Sequence, residues 1–116
     1  MNKITKKDET ELLRSFKMKG VGNGQELIIY KQFCLNFIKA CKQAELAIIG
    51  IDGFYILNDG SIRPNLDEIA DFSDVEAKKF VDFTETCNSA AVKFIRHMLA
   101  TGKSDGYCFT LTNVES

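Results

Sequence analysis

The chain has 116 residues, 45% of them apolar and nine of them Phe, with 15 Lys/Arg against 16 Asp/Glu, which is the size and core-forming content of one domain. Disulfides and a structural metal are not needed to hold such a core, and no apolar run approaches the ~20 residues that cross a bilayer. The charged opening Met1-Asn2-Lys3-Ile4-Thr5-Lys6-Lys7 lacks the apolar segment of a secretory signal, so a cytoplasmic protein is expected.

From Lys6 to about Met18 the composition favours a helix, and Leu12, Leu13 and Phe16 give it a narrow apolar stripe; a short helix or docked arm is expected. Gly20-Val21-Gly22-Asn23-Gly24 reads as a linker, because three glycines in five residues carry too much backbone entropy to continue a helix. Between Gln25 and Gln43 the apolar residues Leu27, Ile28, Cys34, Phe37, Ile38 and Cys41 recur at helical spacing and predict an amphipathic helix. Leu46 to Ile51 is short, β-rich and nearly all apolar, the signature of a central strand covered by helices on at least one face. Asp52-Gly53 then signals a hairpin turn, with a bulge at Gly53 as the alternative, and Phe54 to Leu57 returns as a second strand. Asn58-Asp59-Gly60 is another turn, after which Ser61-Ile62-Arg63 extends the sheet until Pro64 ends it.

Asn65 to Phe72 reads as irregular, with room for one helical turn. Ser73-Asp74 offers an N-cap for a long helix whose face of Phe80, Thr84, Cys87, Ala91, Ile95 and Leu99 runs to about Thr101 and stops at Gly102. Tyr107 to Thr112 alternates and is β-rich, a last strand expected to pair with the first. The predicted order is ααββαβ: an α+β single domain, 1–116, with a small, largely antiparallel three-stranded sheet packed against helices. Within it, 1–24 is the helical arm and Gly-rich linker and 25–116 the core.

Chemistry-bearing motifs are few. Cys34, Cys41, Cys87 and Cys108 make no C-x-x-C and the single His97 offers them no zinc partner, so buried reduced thiols are expected, with no metal and no cofactor. Gly20 to Gly24 lacks both the preceding strand and the following Lys-Ser/Thr of a phosphate-binding loop. What stands out is charge. Residues 43–90 carry ten acids against Arg63, Lys78 and Lys79, a net of −7, while residues 1–42 carry a net of +5. Asp52, Asp59, Asp67, Glu68, Asp71 and Asp74, interleaved with Tyr55 and Phe72, are expected to form a negative patch with aromatic anchors. Its sign disfavours direct nucleic-acid binding and suits a basic, nucleic-acid-binding protein, since carboxylates can take phosphate positions and rings can take base positions.

The helix Tyr30 to Lys42, the strand Leu46 to Ile51, the motif Ile49-Gly50-Ile51-Asp52-Gly53, the nearby Asn58, a helix ending in Ala90-Ala91-Val92 and the closing Asp105-Gly106-Tyr107-Cys108-Phe109-Thr110-Leu111 form a recognisable series. Together they resemble the immunity proteins that neutralise anticodon-cutting tRNase colicins, and the related immunity proteins of contact-dependent growth inhibition systems. The resemblance spans roughly Tyr30 to Thr112, and its specific parts are the Gly-Ile-Asp-Gly segment and the C-terminal strand. It implies a cytosolic antidote without catalysis of its own, which binds the toxin's nuclease domain in its substrate cleft and partly imitates tRNA. The toxin-binding residues on that reading are Asp52, Tyr55, Asp59, Asp67, Glu68, Asp71, Phe72 and Asp74, with a protein partner, no direct nucleic acid and no membrane. Two other readings stay open: a small hydrolase using paired carboxylates such as Asp67 with Glu68, and a regulatory or structural module that dimerises through Phe-rich helices.

Overall fold

Described over residues 6–112, the computed structural model begins with helix α1 (Lys6–Ser15), a 3-10 turn (Lys17–Lys19) and strands β1 (Gly20–Asn23) and β2 (Glu26–Tyr30). A second 3-10 turn (Lys31–Phe33) leads into helix α2 (Cys34–Gln43), strands β3 (Ala47–Ile56) and β4 (Ile62–Asp71), helix α3 (Phe80–Thr101) and strand β5 (Gly106–Thr112). The five strands make one antiparallel sheet in the order β1-β2-β5-β3-β4, so the architecture is α+β. The last strand in sequence lies in the middle of the sheet and joins two hairpins.

Side-chain alternation along the strands sorts two faces. Ile29, Ile51, Tyr107 and Phe109 meet Cys34, Phe37, Ile38 and Cys41 of α2 and Ala91 and Ile95 of α3 in one core, with Leu12 and Leu13 of α1 packed at its margin. Each large apolar side chain buried there contributes about 1.5–3 kcal/mol. Phe37 is the hub: its ring centroid lies 5.1 Å from that of Phe16 and 4.9 Å from that of Phe109. One buried polar side chain fastens α3 to the sheet. Asn88 accepts from the Ile48 N–H at 2.8 Å and donates to the Leu46 carbonyl at 2.9 Å.

Several elements differ from the sequence expectation, each for a local reason. The sheet has five strands rather than three, because residues 20–30 form a hairpin in place of a linker and the first half of a helix. Gly24 at φ +65° makes the tight turn of that hairpin, and Ile28-Ile29-Tyr30 is a contiguous β-branched and aromatic run that suits a strand. The helix therefore keeps only its second half, Cys34–Gln43. Asp52-Gly53 lies inside β3, opposite a bulge in β4, rather than at the turn, which falls at residues 57–61, closed by the Leu57 N–H to the Ser61 carbonyl. β4 runs through Pro64 because it is an edge strand, where a missing N–H can be borne, and the expected irregular stretch from Asn65 is strand to Asp71. Finally, α3 begins at Phe80 instead of Ser73, while its end at Thr101–Gly102 and the pairing of β5 with β3 are as expected.

Candidate functional site

The bulge is the local key to the surface. Asp52 faces Ile69 and Gly53 faces Asn65, so Leu66, Asp67 and Glu68 have no partners on β3. Gly53 permits this: a methyl group there would overlap the Ser104 hydroxyl and lie 3.0 Å from the Glu68 carbonyl oxygen. Glu68 turns into that space and is 8% exposed. Its carboxylate accepts from the Lys103 N–H at 2.6 Å, the Ser104 N–H at 3.1 Å and the Tyr107 hydroxyl at 2.8 Å. Asn65 donates to the Ser104 hydroxyl at 3.0 Å and accepts from the Asp67 N–H at 3.1 Å. Burial alone raises the Glu68 pKa, but hydrogen bonding from Ser104, Lys103 and Tyr107 outweighs it and holds the carboxyl below its ordinary range. Tyr107 is pushed up, first by burial and then by its bond to Glu68.

The sheet face opposite the helices has a different character. One row across it reads Ile28, Cys108, Asp52, Ile69; the next reads Tyr30, Gly106, Phe54, Pro64; Thr110, Gly50 and Asp71 align on the other side of the first. Ile28 and Cys108 are buried, Tyr30, Asp52 and Phe54 are half-buried, and Ile69 and Asp71 are exposed. Glu26, paired with Asn23, adds a third carboxylate. No Lys or Arg occupies a paired position on this face among the described strands. The thiol of Cys108 registers that field: burial first, then the charges of Glu26 and Asp52, push it up to about 12.

The expected contact residues divide into three groups. Asp52 and Asp71 lie one row apart on that face, and Asp67 is exposed on the bulge. Asp59 and Asp74 are exposed in turns, at the tip of the β3–β4 hairpin and beyond β4 respectively. Asp59 accepts from the Ser61 hydroxyl at 2.6 Å and its N–H at 3.0 Å, and these bonds lower its pKa; Asp71 accepts from the Ser73 N–H at 2.9 Å, and the Ser73 side chain first and this N–H second lower its pKa. Glu68, Tyr55 and Phe72 point elsewhere. Glu68 is turned inward, Tyr55 pairs with Arg63 on the face opposite Asp52, and Phe72 packs against the core. The aromatics that do accompany Asp52 are Phe54 and Tyr30. Period-2 parity carried through Gly53 would have found Phe54, but a turn placed at Asp52-Gly53 resets the parity and selects Tyr55.

All four cysteines are free and buried, and among the described residues no group of three His, Cys, Asp or Glu side chains could hold a metal ion. Nor is any described helix long and apolar enough to cross a membrane. No protein-family model matches the chain, and comparison with curated proteins gives no match.

Proposed function

We propose that this protein is an immunity protein: it binds the nuclease domain of a bacterial toxin, a tRNase-type RNase, and occludes its substrate cleft with the acidic sheet face opposite the helices and the adjoining bulge. The observation that carries the reading is that face itself, where Glu26, Asp52 and Asp71 sit beside Tyr30 and Phe54 without a single paired-position cation among the described strands. A basic cleft built for RNA offers the complementary surface, with cations for the carboxylates and stacking positions for the rings. The same field speeds encounter, which matters for an antidote that must intercept a toxin before it finds its RNA. On this reading Asp52, Asp67 and Asp71 are contacts, while Glu68 and Phe72 hold the surface in shape.

The test is co-expression and in-vitro binding with the C-terminal domain of the protein encoded immediately upstream. Wild type is expected to bind it and block RNA cleavage. The double reversal Asp67→Lys with Asp71→Lys should slow association at low salt by about tenfold or more while the protein still unfolds cooperatively, because both side chains are exposed and only the Asp71–Ser73 bond is lost. The reading fails if the wild-type protein neither binds nor inhibits that domain; the assignment of the surface fails if the double variant protects as well as wild type.

A further inference from the structure

Leu66 is 76% exposed and Ile69 45% exposed, and they stand on either side of Asp67-Glu68 in the bulge of β4. A single exposed leucine is ordinary. The setting of this one is not, because Asn65 and Glu68, the residues that bracket Leu66-Asp67, are buried and pinned. Asn65 is tied to Ser104, and Glu68 to Lys103, Ser104 and Tyr107, by bonds of 2.6 to 3.1 Å. The Asn65 side chain also accepts the Asp67 N–H, closing the loop under the tip. Leu66-Asp67 is therefore held in one conformation, and a preorganised tip enters a partner with little further loss of conformational entropy. Its chemistry also runs against the usual protection of an edge strand, where charge or Pro discourages association. Arg63 and Pro64 give that protection at the other end of β4, and the bulge does without it.

We propose that Leu66, assisted by Ile69, is the apolar anchor of this surface, seated in an apolar recess of a cationic protein whose Lys and Arg side chains around the recess meet Asp67 and Asp71. The proposal rests on the toxin reading and names where the toxin is gripped. Charge selects the occupant. A second copy of this chain would bring the carboxylates of the two acidic surfaces together, and a nucleic acid would bring phosphates to them. The division of labour is that the carboxylates govern approach and the anchor governs residence, since buried central side chains dominate dissociation while rim charges act on association.

The experiment measures association and dissociation separately, by surface plasmon resonance against the same upstream-encoded nuclease domain, for Leu66→Ser, Ile69→Thr and the Asp67→Lys/Asp71→Lys pair at low and high salt. Leu66→Ser is expected to dissociate at least about tenfold faster, with the salt dependence of association and the melting midpoint unchanged; Ile69→Thr should act in the same direction and less. The charge pair should show the converse, slower association with a weaker salt dependence. The anchor assignment is overturned if Leu66→Ser leaves at the wild-type rate while wild type still binds, which leaves the toxin reading standing. Failure of wild type to bind overturns both. Sedimentation of the protein alone supplies one more refutation: a wild-type dimer abolished by Leu66→Ser would make a second copy the occupant.

Discussion

Replacing Glu68 by Ala should be the most costly single change outside the apolar core. The substitution removes the acceptor of three donors, and their fates differ. The Lys103 N–H belongs to an exposed residue and can turn to water, whereas Ser104 and Tyr107 are 2% and 1% exposed. Two stranded buried donors at about 1–3 kcal/mol each point to a loss of about 3–4 kcal/mol, a large share of the roughly 5–15 kcal/mol typical of a domain. For a chain of this size that corresponds to a fall in melting midpoint on the order of 10–15 °C. Glu68→Gln keeps the shape and one acceptor but sets an NH₂ group against a donor, so about half that loss is expected. The pH dependence fixes the cause. Because the folded-state pKa lies below the ordinary glutamate value, the carboxylate's contribution is complete above that ordinary value and disappears as pH falls through the depressed one. Urea unfolding followed by circular dichroism, at neutral pH and at successively lower pH, should show the gap between wild type and Glu68→Ala narrowing in acid. A neutral-pH loss below about 1 kcal/mol, or a gap that does not narrow in acid, refutes this account.

Two further substitutions and one labelling experiment test other parts of the fold. The Thr84 hydroxyl is buried without a hydrogen-bond partner among the described residues, so Thr84→Val should be neutral or stabilising by up to about 1 kcal/mol in the same assay; a loss of that size would show a partner the geometry does not. Asn88→Ala leaves the Ile48 N–H and the Leu46 carbonyl unmet inside the core and should cost about 2–4 kcal/mol, and an effect under about 1 would show that the helix–sheet junction does not depend on it. Burial pushes Cys34 up to about 12, as it does Cys108, and raises Cys41 and Cys87 as well. A disulfide reagent at mildly alkaline pH should therefore label the native protein only at its unfolding rate, and a rapidly labelled native thiol would contradict the packing.

The sequence made some of this visible and hid the rest for identifiable reasons. Segments with one dominant period were legible: the stripe of α1, the Cys34–Cys41 spacing of α2, the body of α3 to its Gly102 stop, and the alternation of β5. The hairpin of β1 and β2 was not, because Leu27 and Ile28 fall by chance at positions that continue the helical spacing of Cys34, Phe37 and Ile38. Pro64 misled in the same way, since its ban from central strands says nothing about an edge, and only the sheet order reveals that β4 is one. The acidity of the surface could be counted directly, and Asp52, Asp67 and Asp71 carry it. Glu68 could not be separated from its neighbour Asp67 by composition, because the distinction lies in a cavity made by Gly53 and filled from residues 102–107, more than thirty positions away. Leu66 was invisible for the complementary reason that an apolar residue reads as interior until the chain is seen to leave it outside.

The central place of β5 has a consequence for how the chain comes to be folded. The β1–β2 and β3–β4 hairpins each form from neighbouring sequence, yet within the sheet they touch only through Gly106–Thr112. Asp105 completes the seam. Its carboxylate takes the Ile56 N–H at 2.8 Å, its N–H reaches the Phe54 carbonyl at 2.8 Å, and its carbonyl receives the Lys31 N–H at 3.0 Å. During synthesis, residues up to Gly102 can emerge as helices and two separate hairpins, but the sheet cannot close until Asp105 and the strand after it have left the ribosome. Sheet closure is thus the final, long-range step, and a nascent or C-terminally trimmed chain would present two hairpins with open inner edges instead of a finished surface.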